Sequence, residues 1–155
     1  MTIQNHESGL EVLAVHLGNA VAPTTDLFHQ IITNVCKRFL VLKRAGKTAH
    51  IEELIAAGAW CDVALALIDI EIPTWSLRRL VLEDSEWFCS LTRQPNLPVA
   101  LDDTADATHR NLPLAILGAF LEARRRSSLV REDRASTVPQ TRPASGNMIC
   151  CDNFA

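Results

Sequence analysis

The chain has no Gly-x-Gly-x-x-Gly, no Walker A sequence and no Gly-x-Ser-x-Gly. Its six glycines are scattered, so no stretch of backbone is patterned to cradle a phosphate or to present a serine nucleophile on a strained turn. There is no Cys-x-x-Cys, and His6, His16, His29, His50 and His109 share no ligand spacing, so a metal centre has no motif behind it. The five cysteines are odd in number and irregularly spaced. That excludes a regular disulfide framework and fits reduced thiols in a cytoplasmic protein. No apolar run approaches the roughly 18–20 residues that span a bilayer. Residues 1–9 lack the basic and apolar regions of a secretory signal. Positive charge is also in short supply: 15 Lys and Arg stand against 18 Asp and Glu, which argues against a nucleic-acid binder.

What is present is ordinary core material. With 155 residues, 48% hydrophobic and 21% charged, the chain has enough apolar side chain for one domain with a real core. The charge is uneven. Residues 1–123 carry a balance of −6 and residues 124–155 a balance of +3. After Arg126 the chain turns to Ser, Thr, Arg and Pro, and 127–155 reads as a disordered basic tail behind a domain at 1–126. Cys150 and Cys151 are adjacent thiols on that tail, able to meet a soft metal or a partner thiol, or simply incidental.

Periodicity divides the domain. Ser8-Gly-Leu-Glu11 fits a capping box ahead of Leu10, Leu13, Ala14 and Leu17, although the same segment also alternates tolerably as a strand, which leaves the order of 1–23 open. Leu27, Phe28, Ile31, Ile32, Val35, Phe39 and Leu42 form an apolar stripe that predicts one helix over 25–45, stopped at Gly46. A second helix is predicted over 49–71, with Gly58 a bend or a close approach and Pro73 the end. Residues 75–94 alternate as a hairpin about Asp84-Ser85, pairing Leu82 with Trp87, Leu80 with Cys89, Arg79 with Ser90 and Arg78 with Leu91. Leu80, Leu82, Trp87, Cys89 and Leu91 make the face turned to the helices; Trp75, Arg79 and Phe88 line the other. Such a hairpin needs a helix layer or a third strand to support it. A last helix over 112–126 is capped by Asn111, with Pro113 in its first turn. The fold class is α+β, mostly helical, with one antiparallel hairpin.

Candidate chemistry is sparse. Cys36, Cys61 and Cys89 sit in apolar sequence, and nothing places His50 or His109 beside them as a base. Asp102, Asp103 and Asp106 with His109 offer hard ligands for a cation or a polar pocket; carboxylates before a helix serve equally as dipole partners. Arg78, Arg79 and Arg93 beside Trp75 and Phe88 make a basic aromatic surface that suits RNA, or ion pairs and Arg–aromatic stacking within the sheet.

Ile-Ala-Ala-Gly-Ala-Trp (55–60), Leu-Arg-Arg-Leu (77–80), Glu-Asp-Ser-Glu-Trp (83–87), Cys-Ser-Leu (89–91), Pro-Asn-Leu-Pro (95–98) and Leu-Pro-Leu-Ala-Ile-Leu (112–117) are the landmarks of the central half. Over about 50–126 the chain resembles a group of small uncharacterised proteins of rhizobia-type alphaproteobacteria. The resemblance implies a compact helix–hairpin–helix unit, with Gly expected where Ser85 stands, and implies no activity or cofactor. The expectation is therefore a small non-catalytic cytoplasmic regulatory or interaction protein. It would have no metal or cofactor, would bind a protein partner through Trp75, Arg79 and Phe88, and would be open to self-association. The alternative is a small-molecule-binding protein or minor enzyme with a pocket near Asp102, Asp103 and His109.

Overall fold

Leu10, Leu13 and Leu17 recur at helical spacing and are all buried, forming the inner face of α1 (Gln4–Asn19) in the computed structural model, which describes residues 4–136. The helix begins ahead of Ser8, so Ser8 lies within it and is not its cap. α2 (Thr25–Val35) starts where Thr24 Oγ1 accepts the Leu27 N–H at 3.2 Å, and it buries Leu27, Phe28, Ile31, Ile32 and Val35.

The single helix predicted over 25–45 is two. The backbone leaves the helical region at Cys36 (φ −94°, ψ 71°) and α3 (Lys37–Arg44) starts afresh. No capping side chain is available locally; instead Glu71, buried and 32 positions away, accepts the Phe39 N–H at 2.7 Å. A carboxylate on the free N–H groups of a first turn is favourable to the helix dipole, and it makes the break stable. Gly46 stops α3 at φ +71°, with Lys47 donating back to Leu42 at 3.0 Å.

The second predicted helix also divides. α4 (Ala49–Ala56) closes at Gly58, whose φ of +69° and the 2.9 Å bond from Ala59 N–H to the Leu54 carbonyl form a left-handed cap rather than a bend. α5 (Trp60–Glu71) then runs through the core, burying Val63, Ala64, Leu67 and Ile68.

β1 (Ser76–Glu83) and β2 (Glu86–Thr92) form the predicted hairpin, with Leu82 opposite Trp87, Leu80 opposite Cys89 and Arg79 opposite Ser90. Asp84 and Ser85 both take positive φ, 49° and 66°, which is the backbone that a two-residue turn between twisted strands requires. The register slips at one place. A bulge between Leu77 and Arg79 leaves Arg78 unpaired, and Leu77, not Arg78, faces Leu91. A third strand, β3 (Ala105–His109), pairs antiparallel with β2, so the sheet has the order β1-β2-β3.

α6 (Leu112–Ser136) covers β3 and β2, and both α1 and α5 pack on it in turn. Its approach to the sheet depends on small residues. A Cβ on Gly118 would come within 2.9 Å of Ala107 Cβ. Gly118→Ala should therefore cost about 1–3 kcal/mol, read as a lower urea midpoint. Adding Ala107→Gly should make the pair better than the sum of the single changes by about 1 kcal/mol, because it removes the methyl that clashes.

The helix also runs ten residues beyond Arg126, the point where 127–155 was expected to become disordered. Ser127 and Ser128 turn their hydroxyls back onto the carbonyls of Ala123 and Arg124 at 2.9 and 3.1 Å, satisfying themselves within the helix. Arg125 and then Arg126 hydrogen-bond Glu122 and hold its carboxyl below the usual range, against the opposing effect of its partial burial. The rest of the expected tail, with Cys150 and Cys151, lies outside the described residues.

Candidate interaction surface on the open sheet

Among the described residues, helices cover one face of the sheet and leave the other open. Cys89, Leu91 and Ala105 are buried against the helices, and Ala107 packs under α6. Across the sheet the opposite face carries Val81, Phe88 and Thr108 in one row and Arg79, Ser90 and Asp106 in the next. Phe88 and Val81 are half-buried, and Arg79 is exposed. The Arg79 guanidinium lies 5.8 Å from the Phe88 ring centroid and pairs with Glu83 at 2.9 Å, so it is held across the aromatic surface. In the next row Ser90 donates to Asp106 at 2.6 Å, and Thr104 also reaches that carboxylate.

Trp75 is not part of this surface. It is 3% exposed, lies just ahead of β1, and donates from Nε1 to Ser127 Oγ at 3.3 Å. Arg93 covers its ring at 4.9 Å. Simple alternation carries Trp75 to the outer face with Arg79; the bulge at Arg78 shifts the phase of the strand between them. The expectation for Trp75 is overturned by burial, while Arg79 and Phe88 do share the open face.

The other set of candidates is pulled apart. Asp102 has a side chain only 1% exposed, accepting from Arg78 at 2.5 Å and from Thr92 at 2.6 Å. Asp103 pairs with Arg126 and, more loosely, with Arg93 at 3.8 Å. His109 sits at the far end of β3, where its Nδ1 accepts the Asn111 N–H at 2.8 Å. The strand between them separates its two ends by about 13 Å, so no one ligand of modest size meets all three. A cleft of about 310 Å³ does adjoin His109, but its charged neighbours there are Glu86 and Arg110. The expected pocket near Asp102, Asp103 and His109 is thus not formed. Asn111 stands at the start of α6 and its carbonyl accepts from Ala115 at 3.0 Å, but its side-chain oxygen makes no hydrogen bond, so the predicted side-chain cap is absent.

The thiols are equally far from chemistry. Burial, reinforced by Glu71 and opposed by Arg124, pushes the Cys36 thiol far up. Burial, reinforced by Asp106, pushes Cys89 up to about 12. Cys61 is raised more modestly by the same cause with Asp62 beside it. A nucleophilic thiol needs the opposite environment. Among the described residues no three His, Cys, Asp or Glu side chains gather to hold a metal ion, and no helix is long and apolar enough to cross a membrane.

No family model matches the chain, and no curated protein or solved structure compared with it is a match. The functional reading rests on the surface itself.

Proposed function

We propose that the chain is a small non-catalytic interaction module that presents the outer face of the β1–β2 hairpin to a protein partner. One observation carries the reading. Phe88 and Val81 lie side by side on the sheet face that no helix covers, with Arg79 held across the ring. An aromatic residue with an adjacent guanidinium on a hydrogen-bonded sheet is the composition of an interface anchor. Among the described residues the thiols are shifted away from reactivity, so none of them supplies a nucleophile.

The test is paired capture with the full chain and its Arg79→Glu/Phe88→Ala variant. The variant should lose, by at least about tenfold, a partner that the wild type retains, with an unchanged circular dichroism spectrum. Equal retention of every partner by the two proteins would remove this face from consideration.

A further inference from the structure

β1 is an edge strand, and among the described residues no strand lies beyond it. Its exposed edge can be read from the turn. Glu83 and Glu86 flank a two-residue loop with both central φ positive, so they are a hydrogen-bonded pair. Pairs alternate in an antiparallel ladder, so Val81 with Phe88 and Arg79 with Ser90 are also hydrogen-bonded, and Leu80 and Leu82 are not. The N–H and C=O groups of Leu80 and Leu82 therefore point away from β2, along the open edge.

We propose that this edge pairs with the same edge of a second copy of the chain, antiparallel about Val81, to form one continuous six-stranded sheet. The sequence Arg79-Leu-Val-Leu-Glu83 is complementary to its own reverse. With Val81 opposite Val81 of the other copy, Leu80 faces Leu82 and Arg79 faces Glu83, in both directions. The hydrogen-bond phase agrees with this register. Leu80 and Leu82, which carry the unused backbone groups, become the two hydrogen-bonded pairs, and each pair exchanges both of its bonds.

The side chains agree as well. Leu82 is 57% exposed although it is on the face turned toward the helices, because α6 covers β2 and β3 and stops short of β1. Leu80 and Leu82 of the two copies would meet there as a four-leucine cluster beside the half-buried Trp87, and that face would continue across the junction. On the opposite face the two exposed Arg79–Glu83 pairs, each now made within one strand, would be exchanged for two cross-strand pairs. Within 79–83 there is no Pro and no Lys, the bulge lies at the end of the regular edge, and the two charges present, Arg79 and Glu83, are of opposite sign and meet in this register. This inference concerns the strand edge; it shares Arg79 with the protein-binding face around Phe88, so Phe88→Ala is the change that tells the two apart.

The experiment is sedimentation velocity on the full chain over about 1–200 µM, with Arg79→Glu, Glu83→Arg and the double exchange, all at exposed positions. The wild type should show a concentration-dependent dimer. Each single reversal should raise the dimer Kd about tenfold, because two attractive cross-strand pairs become two repulsive ones. The double exchange should bring it back to within about threefold. Phe88→Ala, on the open face of β2, should leave the dimer intact. A monomer throughout, a dimer that ignores the single reversals, or a double exchange that fails to rescue would each overturn the pairing, and none of them would touch the reading of the Phe88 face.

Discussion

Asp102→Ala should lower the unfolding free energy by about 2–4 kcal/mol, because the largely buried Arg78 guanidinium loses its counter-charge and the buried Thr92 hydroxyl its acceptor. The carboxylate joins three segments. It accepts from Arg78, the bulged residue of β1, and from the fully buried Thr92 at the end of β2, while Arg78 also donates to the Leu97 carbonyl at 2.9 Å. Thr92 Oγ1 in turn accepts the Gln94 N–H at 2.9 Å. Without Asp102 the guanidinium keeps only the Leu97 carbonyl, the Thr92 hydroxyl loses its acceptor, and the connection from β2 to β3 loses its anchor. Arg78→Met should cost a similar amount, since it leaves the buried carboxylate with only the Thr92 hydroxyl as a partner. Combining Arg78→Met with Asp102→Leu should recover part of the loss, because the apolar pair removes both charges and leaves only the Thr92 hydroxyl without its acceptor. Urea unfolding measures all three. The comparison is the Lys43–Glu52 pair, where both side chains are about half exposed and removing either should change stability by less than about 1 kcal/mol. If Asp102→Ala matched that surface pair, the buried network would not be a structural tie.

The hairpin was legible because its signals are local. Asp84 and Ser85 sit between two alternating runs, and both residue types can take the turn that the strands demand. What lay outside local pattern was missed. The break at Cys36 has no signal near it, since the group that stabilises it, Glu71, is at the end of another helix. β3 reads Ala-Asp-Ala-Thr-His, poor strand material by propensity. It is a strand because β2 offers an edge and because Ala107 lets Gly118 of α6 come close. The small residue on each side of that contact was the available clue. The site divides in the same way. Arg79 and Phe88 lie within the regular part of the alternation and share a face as predicted, whereas Trp75 lies across the bulge and is buried. Asp102, Asp103 and His109 are close in sequence, but an extended segment puts distance between its ends, and the intervening strand was the unrecognised element.

Stability should fall steeply above about pH 9, with Cys36 and Cys89 as the cause. Both thiols are fully buried and both have pKa values raised in the fold, Cys89 to about 12 and Cys36 further. The unfolded chain ionises them near the ordinary thiol value of about 8.5. Below that value both states are protonated and the fold loses nothing. Above it the unfolded state gives up protons that the native state keeps, so the equilibrium moves toward unfolding as pH rises. Each thiol contributes about 1.4 kcal/mol per pH unit in this window, and the two together nearly 3. By about pH 10.5 that removes roughly 5–6 kcal/mol, a large share of the 5–15 kcal/mol of an ordinary domain. The discriminating quantity is the slope and not the level. Urea midpoints for the wild type and Cys89→Ala between about pH 8 and 11 provide it. The variant starts lower, having lost a buried side chain, but its stability should decline with pH less steeply by about 1.4 kcal/mol per unit. The chain contains no tyrosine, so its thiolate absorbance is free of phenolate and reports directly which state has ionised. Parallel slopes in the two proteins would mean that Cys89 ionises in the folded state, and that the sheet beneath α6 is open to hydroxide.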